Sequence, residues 1–338
     1  CTQCHEDKTS GWAHDALRDW GVTGRFTDLN LAKARMAADR GDMRALPTLE
    51  SLVADEAVSP LMRASVIEQM SNLGSRQLPT AAAMLLRADN PVLRTSAVRS
   101  MRAMPPTQRY LMLRPFIDDV SLSVRMEVAQ LLAGVPESEL RPKDIAELNP
   151  LFAEYLAVQN DHLDMPSVQL QLANFWLDRG EAGKAEAALT EALLLNPQLE
   201  PALINLVDLL RRNGNNTKAS QLLSDAIQQS PDAGTLWFSQ GLHQIRLGDT
   251  KAGLASLKRA AELEDEGSRH RYVYAIALND TGSKSEAMSV LEALNSRHPG
   301  QADVLNGLLA FARDAGDRRR YEQYRTQLVT VLQATGAR

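Results

Sequence analysis

"QLANFWLDRGEAGKAEAALTEALLLNP", residues 171–197, reads as one helix, a sharp turn and a second helix. An apolar-periodic segment runs up to Gly180, and a second continues from there to Pro197. The unit recurs. Gly180, Gly214, Gly248, Gly282 and Gly316 are each 34 residues apart. Ala219, Leu223, Ala226 and Pro231 repeat Ala185, Leu189, Ala192 and Pro197, and Leu257, Ala260, Ala287, Leu291 and Pro299 hold the matching places further on. A fixed period of this length is the mark of stacked helix pairs and not of a folded bundle with arbitrary connections.

The unit resembles the tetratricopeptide repeat. In that repeat small residues let paired antiparallel helices approach, a turn glycine takes a left-handed conformation and a proline closes the second helix. Five units cover about 166–334, within a region 166–338. Three positions depart from the pattern: Gly253 replaces the small alanine of the third unit, Asp265 replaces its closing proline, and Tyr321 stands at the alanine position of the fifth. A terminal unit with one solvent-facing side accounts for the last.

A second period lies upstream. Arg63, Arg94 and Arg125 are 31 residues apart, and "SPLMRASVIEQM", "NPVLRTSAVRSM" and "LSVRMEVAQLL" align without gaps. Each is preceded by another apolar helix: "LPTLESLVADE", "LPTAAAMLLRA" and "RYLMLRPFIDD". These pairs resemble short HEAT-type repeats over 29–136, in which the arginine braces adjacent units; an ordinary helical bundle is the alternative. Residues 137–165 read as a linker containing Pro142 and Pro150, then a helix, "LFAEYLAVQN", that caps the next array. The fold class is therefore all-α, an α-solenoid of HEAT-like pairs followed by tetratricopeptide pairs in one continuous curve. Met70 and Met101 fall in register with Leu132 and are expected in its core.

Composition agrees. The 338 residues are 44% hydrophobic, 23% charged and 5% aromatic, ordinary for a water-exposed helical chain. A net charge of -5 argues against nucleic-acid binding, and "DRRR" at 317–320 is explained by a solvated helix face. No stretch approaches the roughly 20 apolar residues of a transmembrane helix.

The amino end carries different chemistry. "CTQCHEDKTSGWAHDALRDWG", residues 1–21, holds the only two cysteines, three apart, with a histidine directly after. Covalent haem needs two thiols for its two vinyl groups and an adjacent imidazole for the iron, and CxxCH supplies all three. Zinc wants a second Cys/His pair, and a thioredoxin-like site wants a βαβ setting; neither is present.

Taken together, this segment, the two arrays, the "AEYLAVQN" helix and "HRYVYAIALNDTGSKSEAMSVLEAL" resemble the carboxyl-terminal portion of bacterial multihaem cytochrome c proteins with a tetratricopeptide array. The resemblance implies a haem segment at 1–28, further CxxCH motifs upstream, and an exported, periplasmic protein whose targeting segment precedes Cys1. It implies thioethers to haem c at Cys1 and Cys4, His5 as proximal iron ligand, and Trp12 and Trp20 against the haem edge. His14 has two readings: a distal or neighbouring-haem ligand, or a surface histidine. His162, His243, His270 and His298 are expected to be solvated or capping residues.

The first helix of each tetratricopeptide unit lines a concave surface. Its inward positions include Asn174, Asp208, Arg211, Arg212, Arg246, Tyr272 and Asn279, a mixed polar groove suited to a peptide or protein partner. The leading functional expectation is an interaction solenoid attached to a haem that relays electrons to a redox partner protein. The alternatives are the non-catalytic end of a multihaem oxidoreductase acting on a small nitrogen or sulfur compound, and a haem-free scaffold.

Overall fold

Gly180, Gly214, Gly248, Gly282 and Gly316 have φ between 69° and 92°, the left-handed region that L side chains avoid. Each ends the first helix of a pair in the same way. The N–H of the following residue donates to a carbonyl five positions back, as in Glu181 to Trp176 at 2.8 Å and Asn215 to Leu210 at 2.8 Å. The 34-residue period is thus a period of helix C-terminal caps.

The computed structural model describes residues 8–21, 29–263 and 269–334. Among these residues there are nineteen α-helices and no strand, an all-α solenoid as the sequence predicts. After α1 (Ser10–Asp19) and α2 (Leu29–Asp39) come three pairs: α3 (Leu46–Ala54) with α4 (Pro60–Asn72), α5 (Leu78–Leu85) with α6 (Pro91–Ser100), and α7 (Pro106–Leu113) with α8 (Leu122–Ala133). The long α9 (Pro142–Asn160) follows. The five glycine-capped pairs are α10 (Pro166–Asp178) and α11 (Ala182–Leu195), α12 (Glu200–Arg212) and α13 (Asn216–Gln229), α14 (Gly234–Arg246) and α15 (Thr250–Leu263), α16 (Arg269–Asp280) and α17 (Lys284–Arg297), and α18 (Ala302–Asp314) and α19 (Arg318–Ala334).

Small residues set the spacing within pairs. Ala185, Ala219 and Ala287 are fully buried, and in the third pair Gly253 takes that place opposite Gly241. A methyl group on Gly253 would lie 2.5 Å from Ile245 Cγ1 and 2.9 Å from the Gly241 carbonyl oxygen. This departure from the repeat pattern therefore marks a close helix approach that alanine does not fit. Leu189, Leu223, Leu257 and Leu291 form the fully buried line behind it.

In the first half the 31-residue arginines do one common job. Arg63 donates to the Val53 carbonyl at 2.9 Å, Arg94 to those of Ala88 and Asp89 at 2.9 and 2.8 Å, and Arg125 to that of Asp119 at 2.6 Å. Each guanidinium satisfies carbonyls in the last turn of the preceding helix or in the loop that follows it. Arg94 and Arg125 also reach the next unit, Arg94 through a two-point pair with Asp119 (2.9 and 2.8 Å) and Arg125 through one with Glu154 (2.8 and 2.6 Å). Among the described residues Arg63 makes no such forward bond. Met70, Met101 and Leu132 are fully buried at their shared register position.

The segment expected to be a linker as far as Pro150 is instead helical from Pro142. Its first turn is held by the Asp144 carboxylate, which accepts from the Arg141 backbone N–H at 3.2 Å and from the Arg141 guanidinium at 2.7 Å. Pro150 sits inside the helix, where burial of Leu148, Leu151 and Phe152 offsets the hydrogen bond that proline cannot donate. At the junction Tyr155 stacks on Phe175 (4.9 Å, 24°), and its hydroxyl accepts from Gln130 Nε2 at 2.9 Å. One hydrophobic cluster runs from α2 into Phe175 of α10, so the two arrays share a core.

The curve closes on itself. Residues 40–44 meet residues 299–301: the Met43 N–H donates to Gly300 O at 3.3 Å, Arg44 Nη2 to Pro299 O at 3.3 Å, and Gln301 Nε2 to the Arg40 carbonyl. Asp42 holds the Arg44 guanidinium through two oxygens (2.9 and 2.6 Å) and accepts from the Arg44 N–H at 2.9 Å. Elements some 255 residues apart in the chain thereby form a seam.

Candidate functional site

The inner wall is built from the first helix of each glycine-capped pair, because the second helices pack outside them. On α12 Asp208 and Arg211 lie one turn apart, with Arg211 Nε 3.4 Å from Asp208 Oδ1. Arg246 ends α14 and Arg269 begins α16. These four line one cavity of about 250 Å3, with Val207, Phe238 and Leu242 as its apolar wall. The Arg269 guanidinium lies over the Phe238 ring, 5.6 Å from its centre, and His270 stacks on the same ring at 4.7 Å and 28°. Among the described residues Arg246 and Arg269 have no acidic partner, so three guanidinium groups face one carboxylate.

His243 lies beneath this cluster and is only 3% exposed, neither solvated nor a cap as expected; His298 is buried too, but as the C-terminal cap of α17 it meets the capping alternative. His243 Nε2 is 2.9 Å from Ser220 Oγ on α13. Burial lowers its pKa below the ordinary histidine value, and the nearby Arg246 and Arg211 charges lower it further. The ring is therefore held neutral, and the positive charge of the groove belongs to the arginines.

A second cavity, about 520 Å3, opens at the seam. Arg269 and Tyr272 of α16, with Val273, Asp303 and Val304, form one side, and Gly41, Met43, Asn72 and Leu73 form the other. Arg269 borders both cavities. Burial raises the pKa of Tyr272, and the Asp303 charge adds to this, so its hydroxyl stays protonated. On the other flank the inner wall continues into the first array, where Arg99 bridges Glu68 (3.0 Å) and Glu127 (2.9 Å), beside Gln130, Gln159 and Gln171. There the charges are already paired.

Of the residues expected in the groove, Asp208, Arg211 and Arg246 come together in the first cavity and Tyr272 lines the second. Asn174 accepts a 2.9 Å hydrogen bond from Asn205 in the next unit. Arg212 is exposed and Asn279 half-buried, outside both cavities. Arg269, Phe238 and Leu242 were not anticipated. Arg269 carried a usable signal, standing one helical turn before Tyr272 on the same face.

Cys1, Cys4 and His5 lie outside the described residues, and so does the side chain of His14, whose backbone belongs to α1. Trp12 is half-buried within α1, and Trp20, at its C-terminal cap, is 73% exposed. Among the described residues no cluster of His, Cys, Asp and Glu could hold a metal ion, and no helix is long and apolar enough to cross a membrane.

Residues 151–238 and 238–302 match the tetratricopeptide repeat in two family comparisons. The chain thus carries tetratricopeptide repeats, in a solenoid of the kind that serves as an interaction scaffold. Among solved structures, yeast Tom70 is similar over 84% of this chain and 64% of its own, at 16% identity and a TM-score of 0.57. MamA is 15% identical with a TM-score of 0.42, over 51% of this chain and 93% of its own. YrrB, described as a tetratricopeptide protein with an unusual peptide-binding site, is 19% identical with a TM-score of 0.38, over 52% and 91%. The Tom70 likeness is one of fold, and its extent takes in helix pairs of the first array as well as the second. No curated protein sequence matches the chain.

Proposed function

We propose that this chain is the docking solenoid of an exported bacterial c-type cytochrome. Its groove holds a peptide segment of a partner protein, and its amino end holds haem c near that partner. The observation that carries the docking reading is the concave cavity in which, among the described residues, Arg246 and Arg269 stand without acidic partners beside the Phe238 ring. Guanidinium groups left unpaired in a concave wall are a binding surface before they are a stabilising one.

Support for the haem comes from the donor set. Two thiols three residues apart and an adjacent imidazole suit thioether attachment by Cys1 and Cys4 and iron ligation by His5. When bound, such a haem supplies reversible one-electron transfer. The chain's own part would be to hold the group through Cys1 and Cys4, to offer His5 to its iron, and to bind a redox partner in the groove. Trp20, exposed at the end of α1, is available to cover an apolar edge.

The test is export of the chain through a cytochrome c maturation system, followed by a pyridine haemochrome spectrum. Covalent haem is expected, and Cys4→Ala abolishes it. A haem-free product with both cysteines intact overturns the electron-relay reading and leaves the scaffold. The scaffold reading falls if no protein or peptide binds the groove.

A further inference from the structure

The two groove cavities share one wall residue, and this shared wall defines what can lie across them. Arg269 borders the smaller cavity beside Phe238 and Arg246, and the larger one beside Tyr272 and Val273. Among the described residues, the first cavity sets three arginines against Asp208. The second is lined mainly by apolar groups from both sides of the seam, Met43, Leu73, Val273 and Val304 among them, with Asp303 at its edge. One end of the groove therefore attracts carboxylates, while the other, where Arg269 and Asp303 offset one another, offers mainly apolar surface.

We propose that the partner segment is an extended acidic stretch carrying one large apolar side chain. Its carboxylates lie against Arg246 and Arg269, and the apolar side chain enters the seam cavity. The inference rests on the docking reading and adds the chemistry of the occupant. Charge complementarity selects it. Arginine remains ionised in any surroundings, so the cavity stays cationic. A nucleic acid needs a long basic track, whereas this chain has a net charge of -5, and on the first-array flank Arg99 is already paired with Glu68 and Glu127. A basic peptide meets unpaired guanidinium groups at the first cavity. Asp303 at the far end fixes direction, because a carboxylate there faces another carboxylate.

The experiment measures fluorescence anisotropy of short labelled peptides with the whole chain, varying the number of glutamates and the presence of one leucine or phenylalanine. Glutamate–leucine peptides are expected to bind. Each Glu→Gln change weakens them about threefold to fivefold, the size of an exposed ion pair, and added salt does the same. Replacing the apolar residue by serine costs about tenfold or more. Arg246→Glu and Arg269→Glu abolish the preference for glutamate over glutamine, and Val273→Asn abolishes the preference for leucine over serine; thermal melts verify that each variant is folded. Peptides that bind without regard to glutamate, or unaffected by the arginine reversals, overturn this inference and leave the docking reading standing. Binding of inorganic phosphate with no binding of peptide overturns it in favour of a small-anion site. A chain that binds no peptide of any charge removes both readings.

Discussion

His243 is a buried imidazole with one hydroxyl partner, Ser220, and two arginines nearby. Its folded pKa is depressed, so folding favours the neutral ring. Stability from this residue is fully present above the ordinary histidine value near 6.5, and is lost as pH falls below it toward the folded value. Urea midpoints at pH 7.5 and 5.5 are expected to separate in the native chain, and the separation is expected to shrink in His243→Gln. An unchanged separation would mean that other groups carry the acid sensitivity. Gly253 gives a second test at this scale. A methyl group there meets backbone atoms of α14, which cannot yield without parting the helices. The strain, about 1–3 kcal/mol, exceeds the helix-propensity gain of about 1 kcal/mol, so Gly253→Ala destabilises. Gly183, exposed on α11 with open space around it, has the opposite sign: Gly183→Ala stabilises by about 0.4–1 kcal/mol. Denaturation midpoints moving in the same direction for both would refute the close-approach account.

Among elements, the 31-residue arginines differ in what they hold. Arg94 is paired with Asp119, both nearly buried, whereas Arg63 closes only the Val53 carbonyl. Burial pushes the Asp119 carboxyl up, but hydrogen bonds from Arg94 and the Ser121 N–H bring it below the usual range. Arg94→Met strands that carboxylate and is expected to cost about 3–5 kcal/mol, against about 1 kcal/mol for Arg63→Met. Equal losses in urea denaturation would show that the link between units contributes nothing beyond the carbonyl cap. The two periods made these elements legible, since a glycine every 34 residues and an arginine every 31 each mark one fixed step in a helix pair. The helical start of α9 was not legible. Pro150 reads locally as a helix boundary, and only the Arg141–Asp144 turn and the burial of Leu148 and Phe152 override it. The burial of His243 was not legible for the same kind of reason, because its partner Ser220 lies on a different helix.

For the whole molecule, the decisive feature is the seam. The concave positions Asp208, Arg211 and Arg246 follow from counting along each repeat, but nothing in the sequence pattern ties residues 40–44 to 299–301, because a closure depends on the summed rotation of every pair between them. The side of the larger cavity formed by Gly41, Met43, Asn72 and Leu73 was invisible for that reason. Gly300 is the residue on which closure turns. Its φ is 93°, and a side chain there would meet Asp42 Cγ at 2.7 Å and Arg44 Nε at 3.0 Å. Gly300→Val therefore adds about 1–2 kcal/mol of backbone strain and drives apart the Asp42–Arg44 clasp that the seam's hydrogen bonds require. Because each helix pair is stabilised mainly by its neighbours, opening the seam leaves the helices intact. Small-angle scattering is expected to show a larger radius of gyration at unchanged far-ultraviolet circular dichroism. The groove should respond unevenly: Met43 and Leu73 withdraw from the larger cavity, so the preference for an apolar side chain disappears, while Arg246 and Arg269 keep the preference for glutamate. An unaltered radius of gyration with both preferences intact would show that the array holds its curvature without the seam, and that the larger cavity is formed by α16 and α18 alone.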